Sequence, residues 1–157
     1  MKRMLLLFIV ITMLVGLLSV TVTASEDRPL IGYSSIEYLE NGDYIVTEFA
    51  VTQPGSLFSD STMTTRSGSR TKNYYNSDGT KIWSLTVNGT FSYTYGVSST
   101  ATSATATVNI FSSNASFVSK SAYTSGNTAT ATGTVAYNSV TKTMTVSVSC
   151  DKYGNLS

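Results

Sequence analysis

The stretch that decides the fold is TATATGTVAYNSVTKTMTVSVSC, residues 128–150. Threonines alternate with small or apolar residues along most of it, which is the pattern of half-buried antiparallel strands. A turn at Asn138-Ser139 would pair Gly133 with Met144 and keep apolar side chains on one face and Thr on the other. The stretch therefore predicts a hairpin of two strands, Thr128–Tyr137 and Val140–Cys150.

A third strand precedes this hairpin. Ala115–Thr124 alternates in the same way, and Ser125-Gly126-Asn127 is a turn sequence. A three-residue loop there would keep the apolar faces together, because it pairs Tyr123 with Ala129 and Phe117 with Val135. Residues 115–150 therefore predict a three-stranded meander.

The parity of the apolar residues, which means whether they fall at odd or even positions and so on which face of a strand, also decides the strand assignment in the middle of the chain. Asn88-Gly89 is a common hairpin turn, but a turn there would set apolar residues opposite polar ones at every rung. Without a turn, one face collects Trp83, Leu85, Val87, Phe91, Tyr93 and Tyr95. We therefore predict one long strand, Lys81–Tyr95, with a bend or bulge at Gly89. At about 3.3 Å per residue it would reach about 50 Å, so it must curve and can serve both sheets.

Two hairpins are expected upstream. Ile36–Glu40 and Asp43–Val51 flank Asn41-Gly42, a two-residue turn sequence, although this acidic region could also pack with some helical character. Arg70–Asn76 leads through a tight Asp78-Gly79 turn into the long strand. That turn would place Tyr74 opposite Trp83 and Tyr75 opposite Ile82.

Two segments are expected to be loops. Gln53–Ser69 is polar and contains the Pro54-Gly55 turn, and Val97–Thr107 is rich in Ser, Thr and Ala. The second loop is expected to run into a strand over Ala104–Phe111.

About eight strands with short polar turns predict an all-β protein. The favoured architecture is an antiparallel β-sandwich of immunoglobulin-like or related type, with a β-barrel as the competitor. The Cys-Trp-Cys core of immunoglobulin domains is missing, so the strand topology stays open. We expect a signal helix over residues 1–24, a flexible segment over 25–34 and a single sandwich domain over 35–157.

The N-terminus has the layout of a secretory signal peptide. Lys2-Arg3 precede the apolar run Met4–Val20, and small residues lead to a predicted cleavage between Ala24 and Ser25. The apolar run is long enough that an uncleaved N-terminal membrane anchor is the alternative. In both cases the domain is expected outside the cell, and the membrane is involved only through this segment.

The composition excludes several kinds of chemistry. The chain has no histidine, which removes His-based nucleophilic and acid–base catalysis and most zinc sites. The net charge of +1 gives no argument for nucleic acid binding. Glu37 and Glu48 lie on one predicted hairpin and could serve a glycosidase, but nothing suggests an aromatic cleft around them. No catalytic residue, cofactor or metal is predicted.

Acidic residues predominate before residue 61 and basic residues after it. We expect the acidic strands to lie beside basic ones; the alternative is a dipolar surface that associates head to tail.

Cys150 is the only cysteine, so no intrachain disulfide can form. We expect it to be a buried core residue, and the functional alternative is an intermolecular disulfide.

Tyrosines are the candidate ligand contacts, because the chain has ten of them. Tyr74 and Tyr75 point to opposite faces of one strand, so at least one of them should be exposed. A contiguous patch of exposed tyrosines would favour a binding function. The threonine faces of residues 128–134 and 141–145 are expected to be ordinary solvent-facing surfaces; flat threonine arrays can also bind ice.

Four segments give the chain a resemblance to a family of small secreted β-rich proteins of Gram-positive bacteria: residues 38–44, 74–83, 89–93 and 150–157. These are packing and turn motifs, and the resemblance implies no activity and no catalytic residue. It implies a secreted protein of similar β-rich fold over nearly all of the chain after residue 24.

The sequence thus predicts an exported, non-enzymatic binding or interaction module. Its partner would be a cell-surface protein or a glycan. One alternative is a structural component that assembles through strand edges, charge asymmetry or Cys150. A further alternative is a carbohydrate-active protein that uses surface tyrosines or carboxylates.

Overall fold

The computed structural model describes residues 30–51 and 63–157. The predicted signal peptide, its cleavage site at Ala24 and Ser25, and the Pro54-Gly55 turn lie outside the described residues. Where the chain is described, its strands form two antiparallel sheets and no helix is present. The all-β prediction with eight strands is therefore confirmed, and the acidic hairpin is a pair of strands.

The first sheet contains five strands in chain order, and the second contains three. The first five are β1 Leu30–Tyr38, β2 Tyr44–Val51, β3 Thr64–Tyr75, β4 Lys81–Thr94 and β5 Ser98–Ile110. The second sheet consists of β6 Ala115–Ser125, β7 Thr128–Tyr137 and β8 Val140–Ser149. Strand β1 begins at Leu30, so its first residues fall within the predicted N-terminal segment 25–34.

The two sheets share one hydrophobic core, and β4 is at its centre. Trp83, Leu85, Val87 and Phe91 of β4 are all fully buried on one face. They pack on β7 and β8, while β7 also contacts β5 and β8 also contacts β3. The prediction that this face points inward is confirmed for these four residues, and Tyr93 is partly buried against the core. It is wrong for Tyr95, which lies just past the end of β4 and is 63% exposed.

Strand β4 passes through Asn88-Gly89 without a turn, as the parity predicts, and it is hydrogen-bonded only in the first sheet. The irregularity lies one step further on, between Thr90 and Phe91, where Thr102 of β5 is the extra residue. Gly89 itself is a point of close approach. A Cβ there would lie 2.9 Å from the Cβ of Ala129 in the second sheet and 2.7 Å from the Phe91 ring.

The register of β7 and β8 is as predicted, with Gly133 opposite Met144. The β6–β7 turn is tighter than predicted, because Ser125 pairs with Thr128 and so Tyr123 lies opposite Thr130, not Ala129. The pairing of Phe117 with Val135 holds, since a bulge between Phe117 and Ser119 restores the register.

Both predicted loops are partly strands. Strand β3 already begins at Thr64, and β5 covers nearly all of the predicted loop Val97–Thr107. The serine, threonine and alanine residues of β5 are small enough to pair beside β4. The large core side chains that β5 lacks are supplied by β4. Tyr74 pairs with Trp83 as predicted, but a bulge places Tyr75 opposite Lys81 and not Ile82.

The first hairpin differs most from its prediction. A two-residue turn at Asn41-Gly42 would have paired Tyr38 with Ile45, whereas the strands pair Tyr38 with Tyr44. The longer loop closes with a hydrogen bond from the Leu39 amide to the Asp43 carbonyl. The loop is longer because Asp43 is buried and its side chain is held by hydrogen bonds.

Replacing Gly89 with alanine tests the packing of the two sheets. The added methyl group would meet Ala129, whose Cβ cannot move without its strand, so we expect Gly89→Ala to destabilise the protein by about 1–3 kcal/mol. Chemical denaturation measures this loss. Asn88→Ala, at the exposed neighbouring position, is the control and should change stability by less than about 0.5 kcal/mol. A neutral Gly89→Ala would contradict the close approach.

Candidate functional site

Three tyrosines form a row across three neighbouring strands. Tyr38 of β1 is paired with Tyr44 of β2, and Tyr44 is paired with Tyr75 of β3. Residues paired across a sheet project from the same face. The neighbouring residues on two of these strands, Ile45 on β2 and Tyr74 on β3, are in the core. The tyrosine row therefore lies on the outer face of the five-stranded sheet.

The rings of this row are in direct contact. Tyr44 and Tyr75 stack with centroids 4.9 Å apart and planes only 3° apart, so each covers a face of the other. Tyr38 lies 5.8 Å from Tyr44 at 45°, and it is 75% exposed. Tyr38 therefore provides the most accessible aromatic face of the row, supported from behind by two stacked rings.

The surroundings of the row are polar. Burial, followed by the charges of Glu48 and Tyr44, raises the pKa of the Tyr75 hydroxyl, which therefore stays protonated and can donate a hydrogen bond. Asn73 lies two residues before Tyr75 on the same face and is 1% exposed. Neither polar atom of its amide has a hydrogen-bond partner within the described chain, and such atoms are expensive to leave unpaired.

The two tyrosines singled out by the sequence have separate environments. Tyr75 belongs to the row, half-buried against Tyr44. Tyr74 is 2% exposed, lies in the core and donates its hydroxyl hydrogen bond to Asp43. Of this pair, only Tyr75 is placed where a ligand could touch it.

Asp43 links the two hairpin turns at this end of the molecule. One carboxylate oxygen accepts hydrogen bonds from Tyr74 and, at 2.7 Å, from Asn41. The other accepts the backbone N–H of Ser77 in the β3–β4 turn at 3.0 Å. Burial alone would raise the pKa of Asp43, but these hydrogen bonds and the charge of Lys142 bring it below its usual value. The carboxylate is thus fully engaged in structure.

Glu37 and Glu48 do not form a catalytic pair. Glu37 pairs with Ile45 and so faces inward, whereas Glu48 pairs with Thr71 and faces outward. These two side chains lie on opposite faces of the sheet and cannot flank one bond. Among the described residues no group of three or more His, Cys, Asp or Glu side chains could hold a metal ion.

Cys150 is fully buried and its sulfur is free. Burial is the main reason that the pKa of its thiol is raised, and the thiol makes a weak 3.5 Å contact to the Asp151 carbonyl. A protonated, enclosed thiol reacts slowly, which favours the core role over the intermolecular disulfide.

Threonine and serine hydroxyls pair across the outer face of the second sheet. Thr132 bonds Thr145 at 3.2 Å, and Thr134 bonds Thr143 at 3.1 Å. Because the hydroxyls satisfy one another, this face stabilises the β7–β8 pair and is a polar surface of the ordinary kind.

Comparison of the chain with family models, with curated proteins and with solved structures yields no match. No helix in the described part of the chain is long and apolar enough to cross a membrane. Any function of the tyrosine row is therefore inferred from the geometry of the row.

From the sequence, Tyr38 and Tyr44 were candidate ligand contacts only as two of the ten tyrosines. Their pairing depends on the register of the first hairpin, which Asp43 sets through contacts distant in sequence. The alternation of side chains along β1 could have placed Tyr38 on the face opposite to that of Glu37. It could not have shown that Tyr38 lies beside Tyr44.

The role of Asp43 predicts a stability that depends on pH. Because its pKa is lowered on folding, its stabilisation is present above the ordinary aspartate pKa of about 3.8 and is lost as the pH falls through the folded value. We expect Asp43→Asn to lose about 1–3 kcal/mol at pH 7 and to show a weaker decline in acid.

Denaturant unfolding between pH 2 and about pH 7 measures both effects. Asp78→Asn, in the exposed neighbouring turn, is the matched control and should follow the wild-type curve. An Asp43→Asn variant with wild-type stability would show that the buried carboxylate does not join the two turns.

Proposed function

We propose that the protein is an exported, non-enzymatic binding module that recognises glycans outside the cell through the tyrosine row. Its fold is assigned to the β-sandwiches of immunoglobulin-like or related type, since two antiparallel sheets share one core. The single observation that carries the proposal is the contiguity of Tyr38, Tyr44 and Tyr75 on one outer face.

The chemistry of the row suits a sugar ring. The C–H face of a sugar packs against an aromatic face, and Tyr38 offers one that is largely exposed. Sugar hydroxyls need polar partners at the rim, and the hydroxyls of Tyr38, Tyr44 and Tyr75 are on the same face. Tyrosine combines an apolar ring with a polar end, which is why it is common at binding surfaces.

Export is supported by the N-terminal sequence. A positive start, a long apolar run and small residues before Ser25 match a cleaved signal peptide, and retention of that segment would tether the domain outside the membrane. A glycan of the cell surface is accessible in both arrangements. The absence of histidine and the separation of Glu37 from Glu48 support binding rather than catalysis.

The test is binding of purified protein to a panel of insoluble polysaccharides and to a glycan array. We expect retention on at least one glycan, and we expect Tyr38→Ala to weaken it roughly threefold to tenfold, because the main stacking face is lost. Tyr75→Ala should weaken binding as well, since Tyr44 loses the ring that supports it.

Tyr123→Ala is the matched control, because Tyr123 is a tyrosine of similar exposure, 57%, on the other sheet. It should bind like the wild type. Loss of binding in Tyr123→Ala alone would place the site on the second sheet. Retention of no glycan by the wild-type protein would count against the proposal.

A further inference from the structure

Three connections between strands border a cleft at one end of the molecule. They are residues 39–43 between β1 and β2, residues 76–80 between β3 and β4, and residues 138–139 between β7 and β8. The cleft measures about 340 Å³, near the lower end of the range of about 300–1,000 Å³ that is usual for small-molecule pockets. We call it the turn cleft, and its lining includes Asp43, Ser77, Asp78, Tyr137, Asn138 and Lys142.

The three connections are held in place by contacts of buried side chains. Asp43 joins the first two, because its carboxylate accepts the backbone N–H of Ser77 at 3.0 Å. Tyr74, which donates its hydroxyl hydrogen bond to Asp43, reaches the third connection through an edge-on contact with the Tyr137 ring, with centroids 6.4 Å apart. The Lys142 ammonium lies 5.9 Å from the centre of the Tyr74 ring. The turn cleft is therefore preformed, which lowers the entropic cost of binding a ligand there.

Several polar side chains that line the turn cleft have no partner in the protein. Within residues 30–51 and 63–157, the side chains of Tyr137, Asn138 and Lys142 make no hydrogen bond and no ion pair. The Asp78 carboxylate accepts one long hydrogen bond, at 3.4 Å, from the Asn76 amide. The phenol, the Asn138 amide and the ammonium can donate, whereas Asp78 and the amide oxygen can accept. The cleft thus offers free donors and free acceptors side by side.

The charges of the lining restrict the kind of ligand. A phosphate or another polyanion would meet the carboxylates of Asp43 and Asp78, with only Lys142 to balance them. A metal ion would be repelled by Lys142, and the described residues contain no group of three or more His, Cys, Asp or Glu side chains that could hold one. An apolar ligand would remove water from these polar groups without replacing its hydrogen bonds.

A neutral ligand with several hydroxyl groups avoids all of these penalties. Each hydroxyl both donates and accepts, so adjacent hydroxyls can bind a carboxylate and an ammonium at the same time. Hydrogen bonds to charged groups are the stronger ones, and Asp78 and Lys142 supply one of each sign. Val140, which is 54% exposed, offers apolar contact for the C–H groups of such a ligand. A sugar combines these features in a molecule of suitable size.

We propose that the turn cleft is a binding site for a single neutral sugar residue, held between Asp78 of the β3–β4 turn and Lys142 of β8. This site is separate from the tyrosine row, which lies on the outer face of the five-stranded sheet, because Tyr137, Asn138 and Lys142 belong to the second sheet and its turn. The proposal therefore stands without glycan binding by the row.

Titration of ¹⁵N-labelled protein with free sugars tests the proposal by nuclear magnetic resonance. The probes are glucose, galactose, mannose and N-acetylglucosamine. We expect at least one of them to shift the backbone amide signals of Ser77, Asp78 and Asn138 in a saturable manner. Lys142→Met and Asp78→Ala should each raise the dissociation constant of that sugar roughly tenfold, because each removes a hydrogen bond to a charged group.

Lys120→Met is the matched control, since Lys120 is an exposed lysine on β6, and it should bind the sugar like the wild type. The amide spectrum of each variant shows whether it is folded, and Asn138→Ala replaces any variant that is not. The same titrations with calcium chloride and with glycine test the two ionic alternatives.

Three results would overturn the proposal. The first is a wild-type protein whose turn-cleft amides respond to none of the sugars, or only to calcium or glycine. The second is a set of shifts confined to Tyr38, Tyr44 and Tyr75, which would assign the sugars to the tyrosine row. The third is wild-type affinity in the folded Lys142→Met and Asp78→Ala variants. Retention on insoluble polysaccharides tests the row by itself, so the failure of one site is distinguishable from the failure of the other.

Discussion

The structure depends on large side chains of β4 that pack into a second sheet made of small ones. Trp83 and Leu85 are completely buried, and they face β7 where that strand has a glycine. A Cβ on Gly133 would lie 2.9 Å from a Leu85 methyl and 3.5 Å from the Trp83 ring. The alternation of Thr with Ala and Gly in β7 therefore allows the two sheets to approach, and the apolar area they bury drives folding.

This packing also determines which surfaces remain free. Strands β7 and β8 pack on β4 and its neighbours, and the inward side chains Ile45 and Phe49 of β2 are still buried in the shared core. The outer face of the same strands carries the tyrosine row.

Parity was the reliable source of prediction from the sequence. It placed Trp83, Leu85 and Val87 inside, rejected a turn at Gly89 and gave the register of β7 with β8, because each follows from the alternation of apolar residues along the strands concerned. It failed where tertiary contacts determine whether a segment is a strand and which residues pair across strands. Strand β5 is too poor in apolar residues to be distinguished from a loop. The bulge that shifts Tyr75 and the tight turn that shifts Tyr123 leave no mark in the alternation. The loop before Tyr44 is set by Asp43, whose partner Tyr74 is far away in sequence. Tyr75 was therefore predictable as a surface tyrosine, but its contact with Tyr44 was not.

The contact between Trp83 and Gly133 joins the two sheets where the large side chains of β4 pack on β7. It is therefore the most direct test of this packing. In a nuclear Overhauser spectrum of the folded protein, the indole protons of Trp83 should show cross-peaks to the α-protons of Gly133. Cross-peaks from the indole to residues of the first sheet only, with none to β7, would contradict the packing of the two layers.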